Sequence, residues 1–129
     1  MSKYHNKKVQ IDGMWFDSKK EGNYYLYLKQ LQEHGFISQL QMQVPFELLP
    51  AVKDTRIKIK HLKSGDKEVK VEYVKQRPTY YFADFVYINT KTGQREVVDV
   101  KSTATRKKDA YILKRKMMLA LKGIEIVEV

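Results

Sequence analysis

The run VVDVKS at residues 97–102 ends a valine stretch with an acid and a lysine, and YFADF at residues 81–85 sets a second acid in an apolar run, Asp84 lying 15 positions before Asp99. Strand side chains alternate between faces, so Asp99 and Lys101 share a face with Val97, while Asp84 shares one with Phe82, Val86 and Ile88. The intervening NTKTGQ (89–94) reads as a turn. Centred between Lys91 and Thr92, it sets Asp84 opposite Asp99, Val86 opposite Val97 and Ile88 opposite Arg95. Directly opposed residues hold their Cβ atoms roughly 4.5–5.5 Å apart, and like charges there destabilise a sheet by on the order of 1 kcal/mol. Two arrangements remove that repulsion. A hard divalent cation, bound by one or two carboxylates with water and phosphate, reverses its sign. Alternatively, Lys101 neutralises Asp99 while Asp84 faces water. The spacing is compatible with both.

The 129 residues suit a single domain, residues 1–129, long enough to bury a sizeable core. With 25 Lys+Arg against 15 Asp+Glu, the formal net charge of +10 points to a polyanionic partner, most often nucleic acid. No cysteine is present, which excludes thiol catalysis, thiolate zinc sites and disulfides and is compatible with the cytoplasm. His5, His34 and His61 are scattered without metal-ligand spacing. No apolar run approaches the ~18–20 residues of a membrane span, and no signal-peptide pattern is visible.

The first eight residues are polar and basic and suggest a loose arm. VQIDGMWF (9–16) carries Asp12-Gly13 between two apolar runs, a hairpin signal, so residues 1–16 read as arm and hairpin. In DSKKEGNYYLYLKQLQEHG (17–35), Ser18 and Glu21 have capping-box spacing, and Tyr24, Leu28 and Leu31 recur at helical spacing. A helix from about Ser18 to His34, closed by Gly35, is expected. The cap accounts for Glu21, yet Glu21 also shares a face with Tyr24, Tyr25 and Leu28, which aims it at the sheet. Phe36 to Leu49 has strand character. Residues 53–77 hold nine Lys and Arg against four Asp and Glu. Within them RIKIKHL and EVKVEYV alternate around Ser64-Gly65-Asp66, which reads as a long two-sided hairpin. Its lysines are either phosphate contacts or charges guarding a solvated edge. RKKDAYILKRKMMLALKG (106–123) predicts a second helix with Ala110, Leu113, Met117, Ala120 and Leu121 inward and Lys114 bordering that face. IEIVEV (124–129) closes the chain as a strand, and strand, helix, strand in succession favours a parallel pair. The class expected is α/β with a mixed sheet.

An acid, a gap, then acid-x-Lys on the next strand resembles the PD-(D/E)XK nuclease superfamily. The order of elements is similar to that superfamily's core of helix, three strands, helix and strand. IDGMWFDSKKEGNYY (11–25), QVPFEL (43–48), YFADF and VVDVKS are further similar to segments of its small phage and prophage proteins, some regarded as Holliday-junction resolvases. The resemblance spans nearly the whole chain. It implies a restriction-endonuclease-like αβββαβ core, a mixed central sheet flanked by two helices, with the basic 53–77 hairpin inserted. It also implies Mg²⁺ or Mn²⁺ held by Asp84, Asp99, the carbonyl of Val100 and Glu21. Lys101 would position or deprotonate water, and Lys114 would face the site from the second helix. The activity implied is endonucleolytic hydrolysis of phosphodiester bonds in branched DNA, in phage recombination or replication within the cytoplasm of a bacterial host. Two symmetric cuts imply a homodimer. Candidate DNA contacts are Lys19, Lys20, Lys58, Lys60, Arg77, Arg106, Lys107 and Lys108. Ala83 stands where the superfamily motif has Pro, and Asp99 where Glu is commoner.

Two other functions fit part of the sequence. A basic nucleic-acid-binding module without catalysis accounts for the charge, and structural phage or ribosome-associated proteins share basic arms. Against both stand Asp84 and Asp99 in otherwise apolar strands, where a mere binder favours Val or Thr.

Overall fold

The computed structural model describes residues 7–129, so the arm expected over the first eight residues lies, for residues 1–6, outside the described residues. Strands β1 (Val9–Ile11) and β2 (Met14–Phe16) pair across Asp12 and Gly13, whose φ values are 52° and 76°. A two-residue hairpin turn that follows the strand twist needs φ > 0 at both positions, which Asp-Gly supplies. Helix α1 (Lys19–Glu33) starts at Ser18, whose Oγ accepts from the Glu21 amide at 3.1 Å. The hairpin is pinned to the helix by Asp12 Oδ2, which accepts from Tyr25 Oη at 2.9 Å and from Lys29 Nζ at 2.7 Å.

The central sheet comprises β3 (Ile37–Leu49), β6 (Thr79–Asn89), β7 (Arg95–Asp99) and β8 (Val127–Glu128), in the order β3-β6-β7-β8. β6 runs antiparallel to β3 and β7, whereas β7 and β8 are parallel. The protein is therefore α/β with a mixed sheet. Val86 pairs with Val97 and Ile88 with Arg95, and the same register continued by two residues sets Asp84 level with Asp99. A short helix α2 (Thr103–Arg106) and α3 (Asp109–Lys122) join β7 to β8.

Two cores sandwich this sheet. One gathers Phe16, Tyr25, Leu28, Ile37, Phe85 and Val98 beneath α1 and the first hairpin. The other gathers Phe46, Tyr81, Val86, Val97, Tyr111 and Met118 beneath α3. β3 contributes to both in an unusual way. Leu40, Met42, Val44, Phe46 and Leu48 alternate without interruption in the sequence, yet Leu40 and Met42 pack with the α1 core and the other three with the α3 core. The switch falls at Gln43, whose φ is 51°. β6 switches beside it: Tyr81 and Ala83 join the α3 core, Phe85 and Tyr87 the α1 core. The uninterrupted face expected for Phe82, Asp84, Val86 and Ile88 is thus broken, and Phe82 is exposed while Val86 is buried.

Helix α3 also differs from its sequence pattern. Ala110, Leu113, Ala120 and Leu121, expected inward, are exposed, and Met117 is half-buried. The buried pair is Tyr111 and Met118, so the helix is rolled by about one residue, or roughly 100°. The roll seats Tyr111 in the core and lets Arg115 Nη1 reach Glu128 Oε1 of β8 at 2.5 Å.

Strands β4 (Val52–Leu62) and β5 (Gly65–Gln76) form a separate two-stranded sheet. Leu62 pairs with Gly65, so the loop is Lys63–Ser64 rather than centred on Gly65. Every residue of β4 is exposed, and in β5 only Val69, Val71 and Tyr73 are half-buried. Among the described residues, no helix is long and apolar enough to cross a membrane.

Candidate active site

The point where β3 and β6 change core faces is also where the acids gather. A left-handed backbone at Gln43 turns its side chain toward the neighbouring strand, and the flanking pairs Met42–Phe85 and Val44–Ala83 set Gln43 level with Asp84. Gln43 Nε2 lies 3.1 Å from Asp84 Oδ1 and 3.1 Å from Glu21 Oε1, so one amide joins the acid of β6 to the acid of α1. Glu21 therefore uses its backbone amide for the helix cap and its carboxylate for the sheet.

Asp84 and Asp99 are interlocked. The Asp84 amide donates to Asp99 Oδ1 at 3.3 Å, and the Val100 amide donates to Asp84 Oδ2 at 2.9 Å. Tyr81 Oη donates to Asp99 Oδ2. Lys101 Nζ stands 3.5 Å from Asp84 Oδ2 and 3.5 Å from Asp99 Oδ1. The strand end carrying Asp99 and Lys101 is held by β8: the Val129 amide donates to the Asp99 carbonyl at 2.9 Å and the Lys101 amide to the Val129 carbonyl at 3.3 Å.

Glu21, Asp84 and Asp99 are 5%, 5% and 0% exposed, and they are the buried charged residues of the described chain. Burial pushes the Glu21 carboxyl up to about 7, helped by the negative charges of Asp84 and Asp17. Asp99 is likewise raised, by burial first and then by Asp84. Burial opposes the charged form of Lys101, but the two aspartates outweigh it and raise its pKa, so it stays an ammonium at neutral pH. Among the described residues, Lys101 is the ion-pair partner of Asp84 and Asp99, and Glu21 has none. Gathering three carboxyl groups in the interior is costly, and the raised pKa values of Glu21 and Asp99 express that cost.

Two clefts flank this cluster. One, of about 270 Å³, is lined by Asp17, Ser18, Lys20, Glu21, Val100, Lys101, Ser102 and Thr105. The other, of about 340 Å³, has Tyr81, Phe82, Asp99 and Lys101 on the sheet side, with Lys108, Tyr111 and Lys114 on the helical side. The fold thereby brings together Glu21, Asp84, Asp99, Val100, Lys101 and Lys114, together with Lys20, whose Nζ is 3.4 Å from the Lys101 carbonyl. Lys19 is exposed on α1, and Lys107 is exposed in the turn between α2 and α3. Arg106, grouped above with the DNA contacts, is instead turned to β8, its Nε 3.3 Å from Glu128 Oε2. Lys58 and Lys60 lie on the separate β4–β5 hairpin, and Arg77 follows that hairpin.

The donor set suits a hard cation with oxygen ligands. Among the described residues, no three His, Cys, Asp or Glu side chains converge closely enough to enclose a metal by themselves, and Glu21 is joined to Asp84 through Gln43. Two carboxylates match the manner in which Mg²⁺ is held, with water and substrate phosphate completing the shell. The clustering of three buried carboxyl groups, two of them with raised pKa, is the observation that favours a cation. Gln43 and Tyr81 are additions that the sequence pattern did not single out. The interruption at Gln43 leaves no mark in the apolar alternation, and nothing in the sequence sets Tyr81 apart from the other aromatics of β6.

The chain matches, over residues 1–124, the family described as Protein of unknown function (DUF1064), and it belongs to that family. No curated protein and no solved structure matches it.

Proposed function

We propose that this protein is a metal-dependent endodeoxyribonuclease of the PD-(D/E)XK type, with a restriction-endonuclease-like core. What carries the reading is the trio Glu21, Asp84 and Asp99, buried together where β3 and β6 change faces, with Lys101 paired to the two aspartates. A structural role alone gives little reason to gather three carboxyl groups in the interior, since burying charge costs several kcal/mol. Asp84, Asp99 and the Val100 carbonyl would hold Mg²⁺ or Mn²⁺, with Glu21 as a further or outer ligand. A divalent cation there supplies a water of lowered pKa and offsets charge on the phosphoryl oxygens.

The remaining work falls to the chain's own groups. Lys101, held as an ammonium, contributes charge and positioning at the scissile phosphate more readily than it takes a proton. Gln43 keeps Glu21 and Asp84 in register. Tyr81 orients Asp99, and Lys108 and Lys114 present positive charge to the same cleft. Lys19, Lys20 and Lys107 on the rim would meet the DNA backbone without reading sequence. The substrate proposed is branched DNA of the Holliday-junction kind, cut twice by a homodimer during phage recombination or replication, in the cytoplasm of a bacterial host. Cleavage of a four-way junction is compared with that of a linear duplex of matched sequence. Cleavage confined to the junction supports the resolvase assignment, and equal cleavage of both reduces it to a general nuclease.

A further inference from the structure

We propose that the β4–β5 hairpin is a one-sided arm for duplex DNA: its Arg56–Lys58–Lys60 face lies against the phosphate backbone. The inference rests on the nucleic-acid partner of the reading above but not on its chemistry. Directly paired residues of two antiparallel strands share a face, and the register of β4 with β5 sorts the hairpin's charges accordingly. One face carries Arg56, Lys58, Lys60 and Lys67 against Asp54 alone, four cations to one acid, and Lys75, at the irregular base of the hairpin, reaches that same Asp54 at 3.9 Å. The other carries Lys53 and Lys70 against Asp66, Glu68 and Glu72, two cations to three acids. Charges placed only to guard an edge from aggregation have no reason to segregate by face.

The cationic face is also the better built. Val69, Val71 and Tyr73 are half-buried on it, and the Arg56 guanidinium sits 5.0 Å from the centre of the Tyr73 ring. Its lysine and arginine stems shelter an apolar floor while their charged ends reach outward. The opposite face leaves Ile57, Ile59 and Val74 open, 62%, 55% and 53% exposed. Successive same-face residues on a strand are roughly 6.6 Å apart, so Arg56, Lys58 and Lys60 form an evenly spaced row. From Arg56 to Lys60 the row spans roughly 13 Å, enough to meet successive phosphates of one strand. An isolated hairpin is marginal in water, and a polyanion laid along one face would also stabilise it. The arm joins β3 and β6, the strands that carry Gln43 and Asp84, so DNA held along it leads toward the acids.

Binding to a labelled duplex is measured in EDTA, without cleavage, as a function of salt. Two variants remove equal charge: Lys58→Gln/Lys60→Gln from the cationic face and Lys53→Gln/Lys70→Gln from the other. Loss of two phosphate contacts lowers the log–log salt slope by about 1.8, or about 60-fold in affinity near 0.1 M salt. That loss is expected for the first variant and not for the second. Equal losses in both, or none in the first, overturn the proposal. Val52 pairs with Gln76, so residues 53–75 can be excised and the ends joined by Asn-Gly. The shortened protein should show a smaller duplex footprint and a lower salt slope. An unchanged footprint and salt slope, with a changed oligomeric state, would make the hairpin a subunit contact and overturn the DNA arm. Face-selective binding without cleavage in Mg²⁺ or Mn²⁺ would sink the nuclease reading and leave the arm standing; cleavage with face-independent binding would do the reverse.

Discussion

Gln43 donates to Glu21 and Asp84 through one amide nitrogen, and its removal leaves two buried carboxylates without their shared donor. Residues that orient metal-binding carboxylates commonly contribute 10–100-fold to affinity or activity. Gln43→Ala should therefore lower cleavage by about that factor and weaken activation by Mg²⁺, read as a shift in the metal concentration for half-maximal rate. A second consequence follows from the raised carboxyls. Glu21 titrates near 7 in the folded protein against 4.5 ordinarily, so between these values the native state binds more protons than the unfolded one. Its contribution to stability is then lost as pH rises from about 4.5 to 7, and Asp99 adds a loss of the same sign. In EDTA the melting temperature should fall over this window. Mg²⁺ should restore it at pH 8 and do little at pH 5, and Glu21→Gln should stabilise the EDTA form at pH 8 by on the order of 1–2 kcal/mol. A flat profile in thermal melts would count against the raised carboxyls. At this scale the opposition of Asp84 and Asp99 was legible from the short turn, whose register holds, whereas the face expected for Asp84 with Phe82 and Val86 does not. Glu21 had two readings: the cap uses only its backbone amide, and its side chain goes to the sheet. Gln43 was hidden because a left-handed φ in mid-strand has no signature in a polar residue flanked by Met42 and Val44.

Among the elements, α1 is closely fitted to the first hairpin. A Cβ placed on Gly22 would come within 2.8 Å of Val9 Cγ2 and 2.9 Å of Ile11 Cδ1. Ala in place of Gly in a helix gains about 1 kcal/mol, whereas overpacking a close contact costs about 1–3 kcal/mol. Gly22→Ala should be net destabilising by about 1 kcal/mol in denaturant unfolding, and a more stable variant would show that the hairpin gives way. The start and end of α1 were readable from Ser18 and Gly35, whose capping chemistry is local. The orientation of α3 was not. Its sequence offers one apolar stripe through Leu113 and Leu121 and another through Tyr111 and Met118, and helical periodicity alone cannot choose between them. Tertiary partners decided, namely the α3-side core around Tyr111 and the Arg115–Glu128 contact. For β3, the even alternation of Leu40 to Leu48 suggests one buried face, while the sheet distributes it over two.

For the whole molecule, a net charge of +10 resides largely outside the acidic site, on the β4–β5 hairpin and on the rim formed by α1 and the α2–α3 segment. Binding to DNA should accordingly weaken steeply with salt whether or not metal is present, whereas cleavage should require both. A homodimer acting on a two-fold junction should sediment as two chains and nick opposing strands in pairs; single, unpaired nicks by a monomer would remove the junction assignment while leaving the nuclease. The nuclease reading stands on the chemistry of Asp84 and Asp99. A cleavage assay tests it on labelled four-way junction and linear duplex in Mg²⁺, Mn²⁺ and EDTA, with the Asp84→Asn and Asp99→Asn variants beside the natural protein. Metal-dependent cleavage is expected, absent in EDTA and reduced by about 10³-fold or more in each variant, with DNA binding in EDTA retained. Undiminished cleavage by both variants, or binding without cleavage by the natural protein in either metal, would contradict it.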